Sequence, residues 1–511
     1  MEDNSKKSKR IAKNTGILYL RMIFLMLITL YTSRVILEAL GVEDYGVYNV
    51  VGGFVALFGV LSRSMTSAST RFINYEIGKG NFVRLQRVFN ATFTIMCIMA
   101  VAIAVLSEVL GIWYVNNIMV INPERLYAAN WVFQFSVITF CSTLITVPYN
   151  AAIIAHEHMK AFAYVSLFEG IAKLAIAFAV MISPIDTLIF YAAAVCILQL
   201  IMQGMYRHYC RKHFLECKSR LCYDRDIVKE IFGYAGWTFF GTSAALLRNQ
   251  GGNMIINYFF GPVVNAARGV ANQVLHAVQG FVTNFTIALD PQITQNYANG
   301  NHDYMMKLVY VGSRMSYYML LILSLPIIIN ADYILHLWLK QVPDTAVVFT
   351  QLTLIFTMIE SLSHTLIKAQ QATGQIKNYQ LIVSAITILN LPISFLIYKV
   401  GGSPEAFLIV AIIISIISLF VRMLLLRAYV KLNFVDFLRS VVLNVTIVTA
   451  LAVLPPCIIS LYMPQTLGYV LLNMVVSFLT SIIVILYVGC TASERLMVAN
   501  YAQKMIKRIK K

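Results

Sequence analysis

Apolar runs of helical length follow one another with little break from about residue 11 to residue 489, and this removes most folds from consideration. A run of ~20 apolar residues can cross a bilayer as a helix, because inside lipid every backbone N–H and C=O must be satisfied within its own segment. About fourteen such runs can be marked. They fall at roughly 11 to 40, 45 to 75, 88 to 115, 127 to 155, 164 to 183, 187 to 207, 230 to 259, 264 to 297, 304 to 331, 345 to 371, 378 to 399, 404 to 427, 438 to 460 and 466 to 489. Many exceed the required length, which predicts tilted helices that project beyond the bilayer. Of 511 residues, 59% are hydrophobic and 12% charged, and no polar block is large enough for a soluble domain. The first run is too long for a signal peptide and has no small-residue cleavage site after it, so it is expected to remain as the first span. The fold class is an all-α polytopic membrane protein.

Lys and Arg set the orientation, since loops rich in them stay on the cytoplasmic side. With the N-terminus inside, cytoplasmic segments hold about 28 of the 40 basic residues, including Lys6 to Lys13, Arg207 to Lys229 and Arg495 to Lys511. The outside loops hold about four, namely Arg125, Arg268, Lys340 and Lys399. Both termini are therefore expected in the cytoplasm. The net charge of +17 mostly records topology, with attraction to anionic membrane lipids as a by-product. It is scattered over many loops, which argues against nucleic-acid binding. The eight cysteines are spread through spans and cytoplasmic segments, with Cys222 among the latter, and suggest no disulfide framework.

The halves of the chain resemble each other. "LGVEDYG" at Leu40 to Gly46 lines up with "FGPVVNA" at Phe260 to Ala266, and "INYEIGKGN" at Ile73 to Asn81 with "ITQNYANGN" at Ile293 to Asn301, both at an offset of 220. "AHEHMKAFAY" at Ala155 to Tyr164 meets "ATGQIKNYQL" at Ala372 to Leu381 at an offset of 217. An even number of spans separates equivalent points, so the copies are parallel and two six-helix lobes are expected. The organisation read from this is a cytoplasmic tail 1–10, an N-terminal lobe 11–207, a cytoplasmic linker 208–229, a C-terminal lobe 230–427, a final helix pair 428–489 and a basic cytoplasmic tail 490–511. Leu40 to Val50 reads as an outer turn whose acids are cheap at the surface, paired with Phe260 to Ala266 over a central cavity.

Eight basic side chains fall within spans, and each costs about 2.5 to 3.5 kcal/mol at a bilayer centre, so they should face protein or water. Lys173 has Glu169 four residues before it and Arg34 has Glu38 four after it, so each can be neutralised along its own helix. Arg71 and Arg422 lie near cytoplasmic ends and can snorkel. Arg21, Arg63, Arg248 and Arg314 have no acid at helical spacing. They are candidates to line a central cavity, where a planar fork suits phosphate, with pairing to Glu108 or Glu360 as the alternative. Along the eighth span Asn265, Asn272, His276, Gln279, Thr283 and Thr286 share one face. The seventh adds Asn249, Asn253 and Asn257 beside Gly251 and Gly252, which would allow a bend. Such groups suit sugar hydroxyls and serve equally as glue between helices.

"HEH" at His156 to His158 and the group His208, Cys210, His213, Cys217, Cys222 lack metal-site spacing. No P-loop, GxSxG or catalytic carboxylate pair stands out, so no enzyme and no cofactor is expected.

With these residues in view, the sequence resembles a polysaccharide flippase of the O-antigen and teichoic-acid type, within the multidrug/oligosaccharidyl-lipid/polysaccharide (MOP) exporter superfamily. The resemblance rests on "LGVEDYGVYNVVGGFVALFGVLSRSMTSASTRF" after "SRVILEAL", and on "RNQGGNMIINYFFGPVVNAARGVANQV" in the second half. It implies a MATE-like fold in a bacterial inner membrane and alternating access. It also implies an undecaprenyl-pyrophosphate-linked oligosaccharide substrate, carried by a functional monomer whose partners are membrane lipids and glycan polymerase or export machinery. On this resemblance the cationic cavity maps onto Arg21, Arg63, Arg248 and Arg314. Drug-exporting relatives couple to H+ or Na+ through intramembrane acids of the N-terminal lobe. Here the first two spans carry none at mid-span, which leaves Glu108, Glu169 and Glu360 for coupling or pairing. A cation-coupled multidrug exporter is the alternative, and a membrane glycosyltransferase or polymerase the third reading.

Overall fold

A computed structural model of the chain describes residues 16–496, apart from 30, 33–34, 37, 42–43, 45–46, 49–50, 52–57, 118–121, 219–223, 340–341, 431, 463–465 and 493. The expected tail 1–10, most of the tail 490–511, and Arg34, Lys340 and Cys222 lie outside the described residues, as does much of the 40–50 stretch.

Fourteen helical segments take up the expected spans. They are α1 (Gly16–Thr29), α2 (Gly59–Lys79), α3 (Phe82–Asn117), α4 (Pro123–Ala155), α5 (Met159–Met181), α6 (Thr187–His213), α7 (225–260), α8 (262–298), α9 (His302–Ile329), α10 (Ala346–Thr373), α11 (Lys377–Lys399), α12 (Ala406–Val430), α13 (Phe434–Tyr462) and α14 (Leu467–Gly489). No strand occurs among the described residues. Ten of them, α3 to α6 and α9 to α14, are long and apolar enough to cross a membrane, so the chain is a multi-pass membrane protein. The others are the two pairs that the repeat makes equivalent. The described part of α1 is short, whereas α2 is diluted by Ser, Thr and Arg, and α7 and α8 by Asn, Gln and Arg.

Local chemistry fixes several helix ends. The Asn81 side chain accepts from Arg84 N–H at 3.1 Å to start α3, and Asp186 accepts from Leu188 and Ile189 N–H at 3.0 and 3.1 Å to start α6. Between α7 and α8 the expected loop is one residue, Gly261, whose φ of 77° and ψ of −173° only glycine takes readily. The expected bend at Gly251 and Gly252 is not there; the helix runs through them.

The backbone carries the repeat more clearly than the side chains do. Gly41 and Gly261 have φ of 76° and 77°, Gly80 and Gly300 have 68° and 74°, and Glu157 and Gly374 have 57° and 77°. Each pair is one of the sequence matches.

Contacts divide the chain into two compact units. Unit 1 comprises 1–243, Ile287–Asn301 and Gly374–Gln380, and unit 2 comprises Ala244–Thr286, His302–Thr373 and Leu381–Lys511. The units differ from the expected lobes. Unit 1 continues through the 208–229 linker and takes in two short segments of the second half.

In unit 1, α4 packs on α2, α3 and α6, and Tyr149 meets Phe89 edge to face at 5.4 Å. In lipid such packing carries the association of helices, so close approach matters. A Cβ at Gly170 of α5 would stand 2.6 Å from Leu25 of α1. Arg125 Nε donates to Asp44 at 2.7 Å and Nη1 to Asp186 at 2.6 Å. Asp44 is thus a buried, paired acid and not a solvated one. In unit 2, Ile256, Phe349, Tyr398 and Phe407 form a core. Arg314 of α9 binds there to Glu494 at 2.5 Å and to Ser440 O at 3.3 Å.

Candidate functional site

The expected arginines fall in different units and in different electrostatic settings. In unit 1, Arg21 lies over the Phe162 ring, 4.3 Å from its centroid, with Glu169 and Tyr206 near enough to act on its charge. Its Nε is buried and has no hydrogen-bond partner among the described residues. Glu169 is itself bound by Lys173 at 2.6 Å, the pairing expected from their spacing. Arg63 is exposed on α2 and makes no ion pair or hydrogen bond among the described residues. In a membrane helix that is tolerable only beside water or a ligand.

In unit 2, Arg248 stands 5.1 Å from the Phe356 ring centroid, and its Nη1 is 3.9 Å from Glu360, long for an ion pair. The expected alternative, pairing with Glu360, is therefore present in weak form. Arg314 is buried and its guanidinium is taken up by Glu494 and Ser440 O, so the structure gives it an anchoring contact in place of an open one.

Arg268, read from the sequence as an outer-loop residue, is a buried side chain of α8. It folds back onto α7, with Cζ 4.4 Å from the Phe407 ring centroid and Nη2 donating to Asn249 O at 3.4 Å. The room comes from Gly252, where a Cβ would stand 2.7 Å from Arg268 Nη1. That Nη1 has no partner among the described residues, and Arg248 is close enough to act on it electrostatically. Two guanidiniums thus share one region with N–H groups to spare. Buried unsatisfied donors are rare in native proteins and need an account. A signal was available in the sequence: Arg268 follows the Gly261 turn by two helical turns, which puts it about 10 Å along α8.

The polar stripe is open. The side chains of Asn249, Asn257, Asn272, His276 and Gln279 make no hydrogen bond among the described residues, and Asn249, Asn257 and His276 are exposed. Asn253 bonds Gln250 at 3.0 Å, and Thr283 and Thr286 bond their own helix backbone at 3.1 and 2.9 Å. The side chain of Asn265 is not described. Glu108 accepts from Gln134 at 3.1 Å on an exposed face of α3.

Arg71 does not reach out to solvent as expected. Its guanidinium is enclosed by Phe72, Tyr75 and Tyr234, with ring centroids 4.6, 4.8 and 5.7 Å away. The "HEH" histidines have other partners: His156 bonds Glu216 and stacks on Phe214 at 4.2 Å, and His158 bonds the Tyr209 hydroxyl at 3.0 Å. Burial pushes the Glu216 carboxyl up, but hydrogen bonds from His156 and from its own backbone, with the imidazole's charge, hold it below its ordinary 4.5. A depressed carboxylate adds stability above its unfolded pKa and loses it as pH falls through the folded one. Melting temperature is thus expected to fall more steeply below about pH 4.3 in the wild type than in Glu216→Gln. Parallel curves contradict this coupling.

The fold is that of known MOP transporters. A multidrug resistance MATE family transporter of that superfamily, solved in an outward-facing conformation, superposes with a TM-score of 0.72 at 12% identity, covering 83% of this chain and 96% of that one. The MATE transporter ClbM, solved with Rb+, gives 0.70 at 16% identity, over 82% and 95% of the chains. A MOP transporter from Pyrococcus furiosus, described as having a binding pocket of reverse polarity that suggests a different function, gives 0.67 at 12%, over 83% and 96%. No curated protein matches in sequence. The MatE family matches residues 239–396, and fold and sequence together define a transporter of the MOP superfamily. The polysaccharide biosynthesis protein family matches residues 11–297, more than half of the chain, and the chain belongs to that family.

Proposed function

We propose that this transporter flips an undecaprenyl-pyrophosphate-linked oligosaccharide from the inner to the outer leaflet of a bacterial inner membrane, with both termini in the cytoplasm. The observation that carries the reading is Arg248 with the buried Arg268, whose Nη1 has no partner among the described residues. Guanidinium forks match pyrophosphate oxygens, and charge-assisted bonds of this kind are the strong ones. The open amides of α7 and α8 in the same unit suit sugar hydroxyls, and in unit 1 Arg21 and Arg63 carry donors of their own without a partner among the described residues. Arg314 is left out of the binding set because Glu494 occupies it. The flippase works without a cofactor and as a monomer, served by membrane lipids and by glycan polymerase or export machinery. H+ or Na+ is the coupling ion where one is used.

The test is flipping of a lipid-linked oligosaccharide in proteoliposomes. Arg21→Ala and Arg248→Ala are each expected to slow it at least tenfold, by loss of one charge-assisted contact. Wild-type rates in both would remove the cationic site from the mechanism. The MatE match favours a second reading, a cation-coupled exporter of small amphiphiles. It requires a titratable acid, and proton-driven dye efflux abolished by Glu360→Gln or Glu108→Gln would select it.

A further inference from the structure

Two turns that the repeat makes equivalent each hold a helix encoded in the other half of the sequence. The first closes α4. His156, Glu157 and His158 N–H bond Ala152, Ile154 and Ile153 O at 2.9 Å each, the pattern of a Schellman turn. Such a turn puts one residue in the left-handed region, ordinarily glycine or asparagine. Here it is Glu157, the only non-glycine residue with positive φ among the described residues. A side chain in that conformation costs energy that glycine avoids, and strain of this kind persists where surrounding contacts impose it.

The contacts here come from α8. The buried Glu157 carboxylate accepts a hydrogen bond from Gln292 Nε2. Nearly one turn further along, Gln295 Nε2 donates to Ala155 O at 2.8 Å, occupying a carbonyl at the end of α4. Gly78 of α2 lies against the same stretch, so close that a Cβ would stand 2.7 Å from Gln295 Cα and 2.8 Å from Ala298 Cβ.

The second turn follows α10. Gly374 matches Glu157 in the repeat and shares its backbone conformation, with φ of 77°. Arg71 of α2 packs on it: a Cβ there would stand 2.5 Å from Nη2. Just beyond, Lys377 Nζ lies 5.4 Å from the Trp237 ring centroid. The grip is reciprocal. The first-half turn holds α8, and α2, the counterpart of α8, holds the second-half turn. All of these residues belong to unit 1.

We propose that the two turns form a reciprocal cytoplasmic latch, closed in this structure, and that Glu157 is its releasable member. Contacts present in only one of two states bias the equilibrium by their own free energy. At Gly374 the contact is a caged guanidinium on backbone. At Glu157 the bond from Gln292 reaches the side chain of a residue held in the left-handed region, so releasing it frees a strained turn.

Hydrogen exchange of the full chain in lipid nanodiscs tests this without a transport substrate, so its outcome is separable from the flippase reading. Glu157→Gly removes the carboxylate, and Gln292→Leu removes the donor while leaving the turn intact. Each is expected to speed exchange over 287–301 about tenfold, with 434–462 of unit 2 unchanged. Glu157→Gln keeps an acceptor oxygen and is expected to stay within about threefold of wild type. Wild-type exchange over 287–301 in both Glu157→Gly and Gln292→Leu overturns the latch. Equal acceleration over 434–462 also overturns it, by making the contact a general structural tie.

Discussion

Arg268→Ala is expected to lower flipping roughly 10- to 150-fold, the equivalent of about 1.5 to 3 kcal/mol for a charge-assisted hydrogen bond to an anion. The side chain is buried on the Phe407 ring and propped by Asn249 O, so on the flippase reading its fork is held in place before ligand binds. Preorganisation of that kind makes Arg268→Lys a poor rescue, because a lysine neither stacks in plane nor offers two parallel donors. Gly252→Ala is expected to act in the same direction, by pushing Nη1 out of the space it now fills. Initial rates with a pyrophosphate-linked substrate, set against transport of an uncharged lipid-linked glycan, are the measurement. Equal losses for both would mean that Arg268 supports the fold and does not read the phosphate.

The second large effect concerns stability. Arg314 and Glu494 are both largely buried, with side-chain exposures of 7% and 16%. Removing one partner from a buried pair strands the other charge and typically costs about 3 to 5 kcal/mol. Arg314→Met is therefore expected to lower the melting temperature in detergent markedly, while Arg314→Met with Glu494→Gln recovers most of the loss. A double variant no more stable than the single one would show that the pair matters for packing and not for charge. The neighbouring bond from the Tyr318 hydroxyl to Asn444, with Gly489 leaving space for that ring, belongs to the same anchorage of the last two helices.

Much of the architecture was legible because bilayer physics leaves few choices. Apolar runs long enough to cross must be helices, and the ends of α3 to α6 and α9 to α14 were read to within about six residues. The repeat was legible too, although through only a handful of shared residues. What those residues marked became plain in the backbone, since Gly80 and Gly300 recur for their left-handed φ. The site was harder to read. Arg268 looked like loop because a hydropathy pattern needs several residues to announce a turn, and Gly261 makes this one alone. Arg314 looked unpaired because its acid lies 180 residues away, beyond the reach of any helical spacing rule. Glu157 sat in a motif weighed for metal binding, whereas its role depends on a dihedral angle and on Gln292, 135 residues on.

The discontinuous make-up of unit 1 carries a consequence for biogenesis. Its first 243 residues cannot complete their packing until Ile287–Asn301 and then Gly374–Gln380 have been made. The N-terminal helices must therefore wait in the membrane, with Gly78 and the α4 turn uncovered until Gln292 to Ala298 are made and Arg71 uncovered until Gly374 is made, more than a hundred residues after 243. A chain severed within 208–229 and expressed as its N-terminal piece alone should be a target for membrane proteases, and co-expression of the remainder should protect it.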